Sequence, residues 1–226
     1  DKVEGDTEIV LKNLFQAVDV KNFGATFAEK GNNISITGAV QIGQGFNKYE
    51  DSRVEEQQIL SPFRDGTKDT DNDGEGGKSK QSTLGTKIVS NEAHYVYPFV
   101  INPQAYKEYE ELGVTQGYTQ EDYDKFKRTS MVAATSYATN AKVGCENELA
   151  VFIETKPDLY LPNLSEYVTF SKRDGKNQIT LTFDTLLNEL QDSILSVEIY
   201  YNPYTTELIQ NIQKAVLYNI FTQKEV

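Results

Sequence analysis

The side chains best suited to metal chemistry lie in the run Asp69-Thr70-Asp71-Asn72-Asp73-Gly74. Oxygen-bearing side chains at alternating positions, followed by a glycine, match the first half of an EF-hand calcium loop. Such a loop needs a glutamate at its twelfth position, where this sequence has Lys80, and Lys68 and Lys78 add positive charge. A solvated polar loop is therefore our first interpretation of residues 65–75, and a calcium-binding module is the alternative.

Candidates for nucleophilic or acid–base catalysis are few. The single histidine, His94, lies in a strand-like segment beside Tyr95 and Tyr97, where a structural or pairing role is more common than a catalytic one. Cys145 has no evident partner, and no glycine-rich phosphate loop precedes a helix. We therefore predict no catalytic residue, no metal site and no cofactor.

The elements that position these residues are organised around residues 34–100. The two ends of this stretch, residues 34–45 and 84–100, alternate and are rich in β-branched or aromatic residues, as half-buried strands are. Residues 47–83 between them are polar and rich in Gly, Asp, Ser and Lys. The pattern predicts two neighbouring strands joined by a long loop, and loops of that length are usually functional or disordered.

Helical spacing predicts one helix before this stretch and one helix after it. The first is indicated by Ile9, Leu11, Leu14, Phe15 and Val18, with Thr7 as its cap. It should end near residues 19–20, and residues 21–27 should turn the chain, with Gly24 allowing close backbone approach. The second helix should begin after its N-cap Thr119 and end at Gly144, with an apolar stripe formed by Tyr123, Phe126, Ala133, Tyr137 and Ala141.

The remaining chain predicts short elements. Residues 148–154 have apolar side chains at both odd and even positions, as in a strand covered on both faces. Residues 167–171 and 178–183 predict strands around the turn 172–176, and Asp184 can cap a short helix. Residues 194–201 predict another strand. The tail predicts a helix from Leu208, Ile212, Ala215 and Val216.

Composition restricts the class of protein. The 226 residues contain 38% hydrophobic and 11% aromatic residues, enough for one large domain with a core. We see no bilayer-spanning run and no signal-peptide pattern, and the lone Cys145 fits a reducing compartment, so we expect a cytoplasmic protein with no membrane partner. The formal net charge of -12 means that nucleic-acid binding would need its cations gathered on one face.

The predicted order of elements is helix, strand, long insertion, strand, helix, strand. This is an α+β split βαβ, or ferredoxin-like, sequence whose first strand is absent from this chain. Because that strand is central to the sheet, we expect the protein to begin well before Asp1. A full-length sequence with nothing strand-like before Asp1 would contradict this expectation.

Several segments in order resemble the repeated backbone subunit of CRISPR type I Cascade complexes, in its I-B form. They are Asp19-Val20-Lys21-Asn22-Phe23-Gly24-Ala25-Thr26-Phe27, Ile36-Thr37-Gly38-Ala39-Val40-Gln41, and Leu84-Gly85-Thr86-Lys87 leading into Phe99-Val100-Ile101-Asn102-Pro103. The helix from Thr119 and the strand at Leu149 fit the same order. The resemblance spans roughly residues 10 to 201.

The resemblance implies a modified ferredoxin-like, RRM-type palm over residues 1–226, with residues 47–83 as an inserted thumb loop and residues 155–226 as a C-terminal extension. It implies a non-catalytic, antiviral scaffold that polymerises along CRISPR guide RNA (crRNA). Its expected partners are the guide RNA, copies of itself, other Cascade subunits, and target DNA through the guide. In this family the thumb of one copy reaches its neighbour and kinks the guide.

Holding a guide strand without reading its sequence requires phosphate contacts from cations, amides and small residues, with side chains that stack or wedge between bases. Four chain regions near the expected groove supply such groups. The candidates are Lys21, Asn22, Phe23 and Gly24; Gln44, Gly45, Asn47, Lys48 and Arg53; Thr86 and Lys87; and Lys142 and Gly144.

A metal-dependent RNA endonuclease is the competing function. A related backbone subunit of type III complexes cuts target RNA with an acidic loop residue, and Asp51, Asp65 or Asp69 would be the equivalent acid here. Because the resemblance is to type I, we favour the scaffold. A scaffold should bind RNA in a salt-dependent manner, whereas a nuclease should stop cutting when divalent ions are chelated.

Overall fold

The computed structural model describes residues 7–29, 32–60 and 84–226. The chain divides into two compact units. We call the unit of Asp1–Phe46 and Tyr95–Val226 the body, and the unit of Asn47–His94 the insert. Within the described residues, every helix is too short or too polar to span a lipid bilayer.

The body begins with two short helices rather than one. Helix α1 spans Thr7–Leu14 and α2 spans Val18–Phe23, with a turn between them. Residues 24–27, predicted as part of a turn, instead belong to strand β1, Gly24–Glu29, which pairs antiparallel with β2, Asn32–Thr37. Gly24 does permit close approach, as predicted: its φ is +76°, and a Cβ there would lie 2.0 Å from the Ile36 carbonyl oxygen.

Two short strand pairs follow in the central stretch. Strand β3, Val40–Ile42, pairs antiparallel with β8, Phe99–Ile101, so the two ends of residues 34–100 are neighbours, as predicted. Strand β4, Phe46–Asn47, pairs with β7, Tyr95–Val96. Asn102 ends β8 and caps a 3-10 helix, Pro103–Tyr106.

The insert contains a hairpin of two seven-residue strands. Strand β5, Val54–Leu60, pairs antiparallel with β6, Leu84–Ser90, from Val54 opposite Ser90 to Leu60 opposite Leu84. The prediction that residues 84–90 neighbour the strand at residues 34–45 was therefore wrong. Alternation marked β6 correctly as a strand, but strand periodicity does not identify the pairing partner.

The central helices are shorter than predicted. Helix α3 spans Lys107–Glu111, α4 spans Gln120–Ser130 and α5 spans Ala133–Ser136. Thr119 caps α4 as predicted, with Asp122 completing a capping box. The predicted continuation to Gly144 was wrong, because Asn147 accepts a hydrogen bond from the Ala134 amide and donates one to the Ser130 carbonyl, which folds the chain back.

Two three-stranded sheets form the C-terminal part of the body. They use β9 (Leu149–Thr155), β10 (Val168–Arg173), β11 (Lys176–Leu181), β12 (Ile194–Tyr201), β13 (Thr206–Ile209) and β14 (Ala215–Asn219). One sheet has the order β14-β12-β9 and the other β10-β11-β13. A 3-10 helix, Leu164–Tyr167, and α6, Asp184–Glu189, connect these strands.

The C-terminal predictions had mixed outcomes. Strand β12 has the predicted bounds, and the β10–β11 hairpin turns at Asp174 and Gly175, both with positive φ. Strand β9 is covered on both faces, as predicted: Leu149, Val151 and Ile153 pack against the second apolar cluster, and Ala150 and Phe152 belong with the third. Asp184 is the first residue of α6 and not its cap. The helix predicted in the tail was wrong, because β13 and β14 pair there in parallel with β11 and β12.

Three apolar clusters form the core of the body. The first joins α1, α2, β2 and β3 around Tyr106, the second lies between the C-terminal sheets, and the third contains Met131, Phe152, Tyr200 and Ile220. The ring of Phe99 connects the first and third clusters, at 5.6 Å from both Phe126 and Phe152. The fold is mixed α+β, as predicted, and is built from small sheets.

Candidate nucleic-acid interface

The corner between α2 and β1 carries the first group of candidate residues. The backbone is tightly packed there, since a Cβ on Gly38 would lie 2.2 Å from the Phe23 carbonyl carbon. Asn22 is 6% exposed; its amide donates to the Val18 carbonyl, and its oxygen accepts from the Tyr118 hydroxyl. Phe23, by contrast, is 53% exposed. Within this group, the aromatic ring is therefore the side chain open to a ligand.

Lys21 forms a partly buried ion pair with α4. Its Nζ lies 2.7 Å from Oδ2 of Asp122. Burial by itself would raise the pKa of Asp122, but hydrogen bonds from Lys21 and Thr119 outweigh it and hold that pKa below its ordinary 3.8. The Lys21 ammonium thus has a carboxylate partner inside the body.

Gln44 and Gly45 lie between β3 and β4. Gln44 is exposed. Gly45 packs under the ring of Tyr97, where an added Cβ would lie 2.3 Å from Cε1. Tyr97 is 59% exposed and Tyr95 is 55% exposed. The sequence reasoning placed these two tyrosines only as neighbours of His94; their spacing at alternate strand positions was the signal that they share a face.

The insert carries five further candidates in two places. Asn47 and Lys48 hold the ends of the insert together: the Asn47 side-chain oxygen accepts from the His94 amide, and the Lys48 amide donates to the His94 carbonyl. The Arg53 amide donates to the side-chain oxygen of Asn91, and the Asn91 amide donates to the Arg53 carbonyl, while the Arg53 side chain is exposed. In the hairpin, Thr86 lies opposite Gln58, and Lys87 lies opposite Gln57.

Lys142 and Gly144 lie on an exposed loop of the body after α5. Asn147 ties the base of this loop to Ser130 and Ala134, while its own amide donates to the Thr135 hydroxyl. Gly144 has φ +88° with open space around it. The loop is therefore anchored at its base and presents Lys142 to solvent.

A second lysine–carboxylate pair was missed by the sequence reasoning. Lys127 on α4 bonds Glu198 on β12, and its Nζ lies 5.2 Å from the Phe152 ring centroid and 5.3 Å from that of Tyr200. Burial would raise the pKa of Glu198, but hydrogen bonds from Lys127 and Tyr200 lower it below its ordinary 4.5. A contact 71 residues apart in sequence leaves no local signal.

The metal and catalytic alternatives depend mainly on acidic residues of the insert. The acidic run Asp69–Gly74, with Asp65, lies outside the residues that the structure describes. In the described part of the chain, no three His, Cys, Asp or Glu side chains are grouped to hold a metal ion. His94 Nε2 lies 3.1 Å from Oε1 of Glu92, a structural pairing of the kind predicted.

Comparison with models of protein families identifies a family for most of the chain. The model of the family described as CRISPR-associated protein Cas7 matches residues 2–187, which is most of the chain. No curated protein matches it. Cas7 proteins are the crRNA-binding backbone subunits of the ribonucleoprotein effector complexes in CRISPR antiviral defence. The chain therefore belongs to the Cas7 family.

Proposed function

We propose that this chain is a non-catalytic scaffold that polymerises along a CRISPR guide RNA, as in type I Cascade complexes of the I-B form. The observation that carries the proposal is the family match over residues 2–187. The body would form the RRM-like palm, and the insert, which includes residues 47–83, would act as the thumb. Other Cascade subunits, and target DNA through the guide, would be its partners.

The hairpin of the insert supports self-assembly. Val54 and Ile88 lie on one face of the hairpin and are 75% and 70% exposed, and Ile59 on the opposite face is 52% exposed. An isolated two-stranded hairpin is at best marginally stable in water. Burial of these aliphatic side chains against an adjacent copy would stabilise both the hairpin and the filament.

The exposed candidates supply the proposed RNA contacts. Arg53 and Lys142 present cations to solvent, and Phe23 and Gln44 present a ring and an amide. Lys21 and Asn22 would instead hold the Phe23 corner in place, because both are engaged inside the body. Asn47 and Lys48 would hold the ends of the insert in the same way.

Salt-dependent RNA binding tests the proposal. We expect Arg53→Glu and Lys142→Glu each to weaken binding of a fluorescent single-stranded RNA. Each should also lower the slope of log K against log salt by about 0.7, the contribution of one phosphate contact on a single strand. The control is Arg173→Glu, which reverses an exposed cation at the end of β10. If both variants match the control, these contacts are not made.

The same titration separates the scaffold from a nuclease. The labelled RNA should stay intact with magnesium or manganese present. Cleavage that stops on addition of EDTA would contradict the non-catalytic role and favour a metal-dependent endonuclease instead. Wild-type protein that binds no RNA at low salt would contradict the scaffold itself.

A further inference from the structure

Tyr95 and Tyr97 form an exposed aromatic pair on the body. Their ring centroids lie 6.3 Å apart, with an interplanar angle of 35°. Val96 between them packs against the second apolar cluster and anchors this segment. Because side chains alternate along an extended chain, both rings point away from that cluster. They are 55% and 59% exposed.

The pair is held in place without being covered. The ring of Tyr97 packs on Gly45, where any Cβ would collide with it, so a glycine in the segment just before β4 sets the position of the ring. Within the described residues, neither phenol oxygen forms a hydrogen bond to the protein. The two rings are thus positioned in advance and left uncovered for a ligand.

We propose that Tyr95 and Tyr97 are a stacking platform for two successive bases of single-stranded RNA. The inference rests on the proposed function and deepens it. Sheets of RRM type bind RNA by stacking two or three bases on strand aromatics. Stacking tolerates any base, because every base has a π-face, and so it suits a sequence-independent scaffold.

The charge of the protein favours this means of binding. With a formal net charge of -12, the chain cannot rely on general attraction to phosphate, which dominates nucleic-acid affinity in basic proteins. Base stacking on a tyrosine ring does not itself require a cation. Tyrosine is also common at protein–protein interfaces, so a protein partner is the competing occupant that the experiment must separate.

A tryptophan reporter tests the contact directly. The chain contains no tryptophan, so Tyr97→Trp in the full chain introduces a single indole. We expect its fluorescence to be quenched by a single-stranded oligoadenylate RNA of about 12 nucleotides. An abasic ribose-phosphate oligomer of the same length should not quench it. The control, Tyr160→Trp, places the indole at a position that is 86% exposed and outside the pair, and should respond to neither.

Affinity measurements complete the test. Tyr95→Leu and Tyr97→Leu should each weaken binding of the oligoadenylate about 5- to 100-fold, whereas Tyr→Phe at either position should stay within about twofold. Neither leucine variant should change binding of the abasic oligomer. If a leucine variant fails to fold, as judged by circular dichroism, the phenylalanine variants and the tryptophan reporter still decide the question.

The outcomes separate the two proposals. Wild-type protein that binds no RNA overturns the proposed function. Wild-type binding that the leucine variants retain in full, with no quenching at position 97, overturns the platform and leaves the scaffold intact. Leucine variants that lose self-association while keeping RNA affinity would show a protein contact and also overturn the platform.

Discussion

At the scale of single residues, the candidate RNA-binding residues fall into two groups. Some are packed inside the protein, and the others are exposed to solvent. Lys21, Asn22 and Gly24 are engaged in packing, whereas Phe23, Arg53 and Lys142 face solvent. Residue type and position along the chain suggested the whole set. Only tertiary contacts, such as that between Lys21 and Asp122, could separate its members, because those partners lie 101 residues apart.

Two glycines with similar φ should differ sharply in their tolerance of a methyl group. Gly24 and Gly113 have φ of +76° and +68°, but a Cβ would collide with backbone only at Gly24. We expect Gly113→Ala to lower the free energy of unfolding by about 1 kcal/mol, from left-handed strain alone. Gly24→Ala should lower it by more than about 3 kcal/mol, because backbone must move as well.

Urea unfolding monitored by circular dichroism measures both glycine variants. Gly113→Ala is the control for a methyl group at positive φ with open space around it. Equal losses for the two variants would contradict a close approach between Gly24 and the Ile36 carbonyl.

At the scale of elements, α4 is fastened near both ends by a lysine and a carboxylate. Asp122 in its first turn accepts from Lys21 of α2, and Lys127 in its last turn bonds Glu198 of β12. The helix itself was predictable, because its capping box is local in sequence. Its length and its fastenings were not predictable, because Asn147, Lys21 and Glu198 all act from outside it.

The two carboxylates should make the fold sensitive to acid. Both have pKa values lowered below 3.8 and 4.5 in the folded chain, so the unfolded chain binds more protons in this range. Their contribution to stability is present above pH 4.5 and is lost as pH falls through the folded values. We expect Asp122→Asn and Glu198→Gln to unfold at lower urea concentration at pH 7 and to lose less stability on acidification than the wild type.

Urea midpoints between pH 7 and pH 3 test this expectation. Glu121→Gln is the control, because Glu121 lies in the same first turn with its side chain 76% exposed. It should retain the wild-type acid sensitivity. An unchanged pH profile in both Asp122→Asn and Glu198→Gln would mean that these pairs do not fasten α4.

The strands, like α4, were predictable where their signal is local in sequence and not where it comes from distant contacts. The β10–β11 hairpin is signalled by Asp174-Gly175, and β12 by a continuous β-branched and aromatic run. A helix was wrongly predicted for the tail because the spacing of its apolar residues fits a helical period; these residues are Leu208, Ile212, Ala215 and Val216. In the structure, long-range pairing of β13 and β14 determines their conformation.

At the scale of the whole molecule, the proposed self-assembly of this acidic chain would have to overcome repulsion between copies. We expect Val54→Ser/Ile88→Ser to weaken association of copies on a long single-stranded RNA by at least about tenfold, because exposed aliphatic surface would no longer be buried. Sedimentation velocity measures the species formed. Leu195→Ser, at a 54% exposed strand position of the body, is the control.

The β5–β6 hairpin has exposed aliphatic side chains on both faces, so hydrogen exchange in the insert should report the proposed assembly. Its ladder of hydrogen bonds runs from Val54–Ser90 to Leu60–Leu84, and Val54, Ile59 and Ile88 along it are all more than half exposed. Amide protons of β5 and β6 should then exchange with deuterium far faster than those of β12, where Val197 and Ile199 are fully buried. If amide exchange slows in the hairpin alone, following that change over time would show when one copy binds the next.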